Sequence, residues 1–353
     1  TQSRSSAASD VYKRQVIARE QTYVHTFYKK EATAQQPATS KEEGNLVAFS
    51  GPDFKATFDK QSGLLTSYLY KKHEYILNGQ GPRPFFWRAP TDNDYGANLP
   101  VRLKAWKEAS YQEPKAESFQ VTPGSNATTV KVTYRFPQTE ARWNITYKIY
   151  ASGVIKVDNR FMAEGDQAPM IPRVGLRMQL PESFTDLTYY GRGPKENYRD
   201  RRTSQFIGEY AIPVKDMYEP YVRPQENNHR TDIYWCALTD KTQRGLLLIA
   251  DRTFELNASN YPLESMDSGD TIDNGAPRTE KTHHRHLTDP LPEKMVDLFI
   301  DYRMMGVGGD DSWGATAHEP YLIRPGKENA IEYGFSLVPF DKKEDYKYLI
   351  RQY

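Results

Sequence analysis

From Asn45 onward the sequence alternates apolar and polar residues in one short segment after another, and this period of two is the pattern of a half-buried strand. Phe54-Lys55-Ala56-Thr57-Phe58 alternates, Asp59-Lys60-Gln61-Ser62-Gly63 turns, and Leu64 to Tyr70 returns, the signature of a hairpin. Val130 to Phe136 and Trp143 to Tyr150 repeat it, and Val154 to Phe161 follows the turn at Ser152-Gly153. Gly245 to Ala250, Met295 to Tyr302 and Ala330 to Val338 supply further strands. Helical periodicity is confined to Leu99 to Ser110, where Leu99, Leu103 and Trp106 share a face, Asn98 is the expected cap and Pro100 sits in the first turn. Many strands and one short helix predict a large all-β antiparallel sandwich and not a set of βαβ units.

The organisation along the chain is uneven. Residues 1–15 have no period and little to bury, and are expected to be an unstructured or non-native leader. Residues 16–32 contain the strand-like Thr22 to Tyr28, which reads as the terminal strand of a preceding domain because a lone strand cannot form a stable sheet. Residues 33–44 read as a polar linker, 45–345 as the sandwich and 346–353 as a tail.

A chain of 353 residues can bury a substantial core. With 47 Lys and Arg against 46 Asp and Glu, its net charge of +1 offers no electrostatic case for nucleic acid or an anionic membrane as partner. The longest aliphatic run, Leu246 to Ala250, is far below the ~20 residues of a spanning helix. The lone Cys236 lies in a buried-strand pattern and reads as a structural thiol. The triplets beginning at Asn126, Asn144 and Asn257 match glycosylation acceptors, a motif that short arises by chance.

Four loops stand out from this strand-building background: Trp87 to Gly96, Tyr190 to Arg201, Tyr218 to Arg230, and Met305 to Gly314. The last carries three glycines, then Asp310, Asp311 and Ser312, then Trp313 among polar and small neighbours. A flat indole on such a loop suits the C–H face of a sugar, while nearby polar groups take its hydroxyls. The alternative is a Trp folded back to cap the sheet. Asp92 with Asp94, and Asp310 with Asp311, are carboxylate pairs by proximity. Asp in Gly-rich loops normally bonds its own backbone, so turn-setting is the stronger reading. Glu196 and Glu226 are flanked by arginines and read as structural ion pairs, unlike a proton donor, whose pKa must be raised. His284 and His286 would share one face of a strand and could ligate a cation, but Arg285 between them favours structural or interface histidines and no metal.

Taken in order, with His284-Arg285-His286 before the last, the four loops resemble the C-terminal small-chain domain of family-two glycoside hydrolases, the large β-galactosidases. The resemblance runs from about Asn45 to Pro339. It implies a galactose-mutarotase-like super-sandwich, and makes Val16 to Tyr28 similar to the end of an immunoglobulin-like domain. It implies that Trp313 is a sugar-stacking platform, with Asp311 and Ser312 beside it, and that Gly96 opens a mobile loop whose continuation, Ala97 to Leu99, lies at the site rim. It places Asp92, Asn93, Asp94, Arg223, Glu226, Asn227, His284 and His286 at interdomain contacts or the rim. Catalytic residues are expected to be none here, because in that family both glutamates lie on a (β/α)8 barrel. Cofactors are likewise expected to be none in this chain, any Mg or Na ions being bound by other domains. The partners implied are the barrel-containing part, a galactoside and further copies in an oligomer. The compartment stays open between bacterial cytoplasm and periplasm. Two other functions compete: a non-catalytic carbohydrate-binding module, and an aldose mutarotase using Glu226 and His229 as base and acid.

Overall fold

The computed structural model describes residues 2–10, 15–24, 36–165, 169–268, 286–311, 314–326 and 330–352. The strands are β1 (Gln2–Asp10), β2 (Gln15–Val24), β3 (Thr39–Glu43), β4 (Leu46–Ser50), β5 (Phe54–Asp59), β6 (Leu65–Tyr70), β7 (His73–Glu74), β8 (Arg83–Phe85), β9 (Ala116–Thr122) and β10 (Thr128–Phe136). They continue as β11 (Ala141–Ile149), β12 (Ile155–Ala163), β13 (Arg173–Pro181), β14 (Asp186–Gly193), β15 (Phe206–Pro213), β16 (Arg230–Thr239), β17 (Gly245–Ser259), β18 (Met295–Met304) and β19 (Ile331–Phe340). The helices are α1 (Asp92–Gly96), α2 (Leu99–Arg102), α3 (Lys104–Tyr111) and α4 (Tyr346–Gln352).

The fold is the all-β antiparallel sandwich expected. β3 to β7 form a meander, and the large sheet runs β15-β14-β16-β17-β19-β12-β11-β10-β9, with β18 pairing β17 and β13, and β13 pairing β8. Strand alternation builds the core directly. Along β11, Trp143, Ile145, Tyr147 and Ile149 are buried while Arg142, Asn144, Thr146 and Lys148 face away from it. Phe86 is the hub of an aromatic cluster, with ring centroids 4.9 Å from Phe136, 5.0 Å from Trp106 and 5.5 Å from Trp143. Cys236 lies fully buried in β16, and burial pushes its thiol pKa up.

Besides the linker expected at 33–44, in which β3 forms and pairs with β4, three local expectations are revised. The helix expected over Leu99–Ser110 breaks at Leu103, whose φ of −111° and ψ of 18° leave the helical range, and continues as α3. Asn98 does not cap it: its backbone is left-handed at φ 55°, and its side chain makes no cap bond. Leu99, Leu103 and Trp106 are buried as the pattern required. Second, the helix is not the only one. α1 sits inside the first unusual loop, and α4 occupies the segment read as a tail, where Tyr346 packs against Trp235 and Phe340. Third, the segment read as an unstructured leader is extended, and β1 pairs antiparallel with β2. Pairing gives β2 the backbone partners a lone strand lacks. Gln21 then ties the hairpin to the sandwich, exchanging two 2.7 Å bonds with the backbone of Ile207.

Topology decides where the four loops go. β8, β13, β18, β17, β16 and β14 are successive antiparallel neighbours. β8 and β18 run the same way, each antiparallel to β13, so their C-terminal ends share an edge, and the N-terminal end of β16 with the C-terminal end of β14 meets them along the long β17, where Glu255 pairs with Asp301 of β18 and Leu256 with Arg230 of β16. Each of those ends carries one of the four loops.

Candidate sugar-binding rim

The first loop is held by a reciprocal cap at the start of α1. The Asp94 amide donates to the Thr91 hydroxyl at 3.1 Å, and the Thr91 amide donates to the Asp94 carboxylate at 3.0 Å. That carboxylate also accepts two bonds from Arg88, at 3.0 and 2.7 Å, and both side chains are buried. Burial works against the Arg88 charge, but Asp94 outweighs it and holds the guanidinium pKa above its ordinary value. The remaining Arg88 donors reach the carbonyls of Met305 at 2.7 Å and Gly306 at 3.0 Å. One buried ion pair thus fastens the first loop to the fourth.

The second loop reinforces the same point. Asp200 accepts the Gly308 amide at 2.7 Å, and a Cβ on Gly306 would lie 2.6 Å from its carboxylate. Glycine is therefore required at 306 by close approach. The loop also meets the third: Glu196 accepts the Asn228 amide at 2.8 Å, Arg201 at 2.5 Å and the Tyr221 hydroxyl. The third loop returns to the first. Arg223 lies 4.3 Å over the Tyr95 ring and 3.8 Å from Asp92, Gln225 donates to Asp92 at 3.3 Å, and the Glu226 amide donates to the Ala89 carbonyl.

In the fourth loop Asn93 donates to the Val307 carbonyl at 3.4 Å, and Asp311 accepts the Ala315 amide at 3.2 Å. Asp310 pairs with His318 at 2.8 Å. Gly314, at φ +147°, comes so close to the first loop that a Cβ on it would be 3.1 Å from the Gly96 carbonyl. Gly96 and the immediate flanks of Ser312 and Trp313 therefore meet, while Ser312 and Trp313 themselves lie outside the described residues.

Beneath the rim lies a buried polar network that the sequence did not announce. Glu226 accepts Asn257 at 3.0 Å and lies 3.5 Å from Arg173. Asn227 donates to the Gln225 carbonyl at 2.9 Å and accepts the Glu219 amide at 3.3 Å, a loop brace. His229, fully buried, contacts Asn257 at 2.6 Å and Glu255 at 3.0 Å through its two ring nitrogens. Burial opposes its charge, yet Glu255 raises its pKa. Burial lifts Asp301 to about 7, although Arg173, 3.3 Å away, and His229 pull it down. With both ring nitrogens engaged and no exposed surface, His229 cannot meet a substrate hydroxyl, and Glu226 is spoken for by Asn257.

The structure thus gathers Asp92, Asn93, Asp94, Gly96, Arg223, Glu226, Asn227 and Asp311 around one edge. Asp94, Glu226 and Asn227 serve as fasteners below its surface, being buried. His284 lies outside the described residues. His286 is exposed, its amide donating to Asp289 at 2.9 Å, in a turn of its own. Among the described residues no group of three His, Cys, Asp or Glu is arranged to hold a metal ion. Arg88, Asp200 and Asn257 are the residues that sequence reasoning missed. Arg88 and Asp200 stand inside two of the singled-out loops, but nothing in one sequence says that Arg88 also reaches Met305 and Gly306, or Asp200 reaches Gly308, over a hundred positions away.

The family model and the curated relatives give the chain's family. The family model described as "Beta galactosidase small chain" matches residues 50–337. The chain is 33% identical over 291 residues to a β-galactosidase of Priestia megaterium and 30% identical over 294 residues to one of Halalkalibacterium halodurans. Each match takes in 82% of this chain but only 26% and 27% of those relatives, so the chain spans about a quarter of their length. Among solved structures, galactose 1-epimerase from Lactobacillus acidophilus superposes with a TM-score of 0.47 at 6% identity, over 88% of this chain and 99% of that one.

Proposed function

The chain belongs to the β-galactosidase small-chain family, and on that footing we propose that it is the C-terminal portion or small subunit of an enzyme that hydrolyses terminal β-D-galactosides with retention. Its share is to wall the active site and to present Trp313 to the sugar. The two glutamates that such a reaction needs, about 5–5.5 Å apart, lie in a barrel-containing partner. The observation that carries this reading is the approach of Gly314 to Gly96, which brings the flank of Trp313 against the first loop on a rim fastened from three sides.

The carboxylates of the rim support the division of labour. Asp94 and Glu196 are each held by arginine, Glu226 by Asn257 beside Arg173, and Asp311 sets its own turn. None of these is placed as a proton donor in an apolar setting. The chain by itself is expected to leave a chromogenic galactoside intact, and addition of the barrel-containing part to restore turnover. Turnover by the purified chain alone would overturn this reading. Saturable galactose binding by the lone chain, without any gain on adding the barrel part, would instead favour a carbohydrate-binding module.

A further inference from the structure

The face of the large sheet turned away from the core holds a cavity of about 830 Å³ that the proposed function does not use. Its floor is the outward set of an alternation already described: Asn144 and Thr146 of β11 lie between the buried Trp143, Ile145 and Tyr147. Its size falls in the ~300–1,000 Å³ range of small-molecule sites. Such sites are usually apolar. This one is walled by amides, hydroxyls and charges, so it suits a ligand covered in hydroxyls.

Charge narrows the ligand further. Every carboxylate lining the cavity is already matched by a cation. Asp158 is 3.1 Å from Lys148 and 3.4 Å from Lys156, which also holds Asp251. Asp232 meets Arg192 at 2.8 Å and Arg202 at 2.9 Å, Glu332 meets Arg160 at 3.0 Å, and Glu255 meets His229 at 3.0 Å. Gly334 makes room for part of this: a Cβ there would lie 2.8 Å from the Lys156 ammonium and 2.3 Å from the Asp251 carboxylate. Arg160, Arg199 and Arg202 of the lining are matched as well, to Glu332, Glu255 and Asp232, but two further arginines are not. Among the described residues, Arg252 and Arg303 meet no carboxylate, and the Arg303 guanidinium lies 4.8 Å over the ring of Tyr302 on the cavity wall. Arg199, 3.7 Å from Glu255, is close enough to Arg202 and Arg303 that both depress its guanidinium pKa, after burial, the larger cause. Unpaired guanidinium groups with their fork of donors are suited to bind carboxylate or phosphate.

We propose that this cavity is a second saccharide site, specific for a sugar bearing an acidic group, with Arg303 and Arg252 gripping the anion and the polar sheet floor taking the hydroxyls. Arg199 of the second loop and Glu255 of the buried network belong to its lining, so the site borders the rim. An inorganic ion would fill only a small part of the volume, which is why the proposal requires the sugar as well as the charge.

The test is titration calorimetry on the full 353-residue chain with galactose 6-phosphate, galacturonate, galactose and inorganic phosphate. At least one of the two acidic sugars should saturate, binding tenfold or more tightly than either galactose or phosphate. Arg303→Gln should weaken that binding at least tenfold with an unchanged melting temperature, and Trp313→Ala should leave it intact. No saturation by either acidic sugar, equal binding of phosphate or galactose, indifference to Arg303→Gln, or loss on Trp313→Ala would each overturn the proposal. The last result would merge this site with the rim, whereas failure of galactoside turnover on reassembly would leave it standing.

Discussion

At the residue scale, the rim depends on charges that are buried because they are paired. Arg88→Ala would leave Asp94 charged and enclosed and would free the Met305 and Gly306 carbonyls. Breaking such a pair costs about 3–5 kcal/mol. A urea-unfolding midpoint lowered to match is expected, and unchanged stability would show that Arg88 is no fastener. Asp301 makes a pH prediction. Its folded pKa, about 7, lies above the ordinary carboxylate range, so the native state keeps a proton that the unfolded chain loses first. Its contribution to stability is therefore present at acidic pH and falls as pH rises from about 4 to about 7. His229, whose folded pKa is also raised, adds stability below about 6.5 that fades as pH climbs through its folded value. Melting temperature measured against pH should show Asp301→Asn gaining on the parent chain steadily over pH 4 to 7. A constant difference across that window would contradict the assignment. Trp313→Ala should weaken transition-state binding in the reassembled enzyme by about 1–3 kcal/mol, roughly 5- to 150-fold in kcat/KM. Unchanged kinetics would deny it a stacking role.

Elements differ in how openly the sequence declared them. β10, β11 and β12 could be read from their alternation because each buries one face and shows the other, so local pattern and tertiary position coincide. The helix at Leu99 was legible by its apolar face, but its start and its break were not. Asn98 took the left-handed backbone that Asn tolerates better than most residues, in place of a cap, and Leu103 is pulled out of helical geometry while its side chain is buried in the core. The rim loops were legible as unusual and, through the resemblance, as belonging together. Their mutual bonds were not, since Arg88 to Met305 and Asp200 to Gly308 are contacts that only a folded sheet edge can make. Gly306→Ala tests that edge. Its new methyl group would displace Asp200, so the reassembled enzyme should lose activity on the order of tenfold, while circular dichroism remains that of a folded sandwich. Full activity would mean that the loop tolerates the shift and does not position the site.

At the scale of the whole molecule, one core cluster spans the meander and the large sheet. The family match, residues 50–337, begins after β3 and ends within β19. α4 lies beyond it, and covers Trp235 and Phe340. Removing residues 341–353 should expose that patch and lower the melting temperature by several degrees, the shift expected from the loss of about 2–3 kcal/mol of apolar burial in a chain of this size. An unaltered melting curve would make α4 dispensable.

The single sulfhydryl offers a way to watch this architecture open. Cys236 sits in mid-sheet between β14 and β17, and no other thiol competes for reagent. Alkylation can then proceed only when the central strands part, so its rate becomes a clock for the rarest and largest fluctuation of the chain, read without any engineered label.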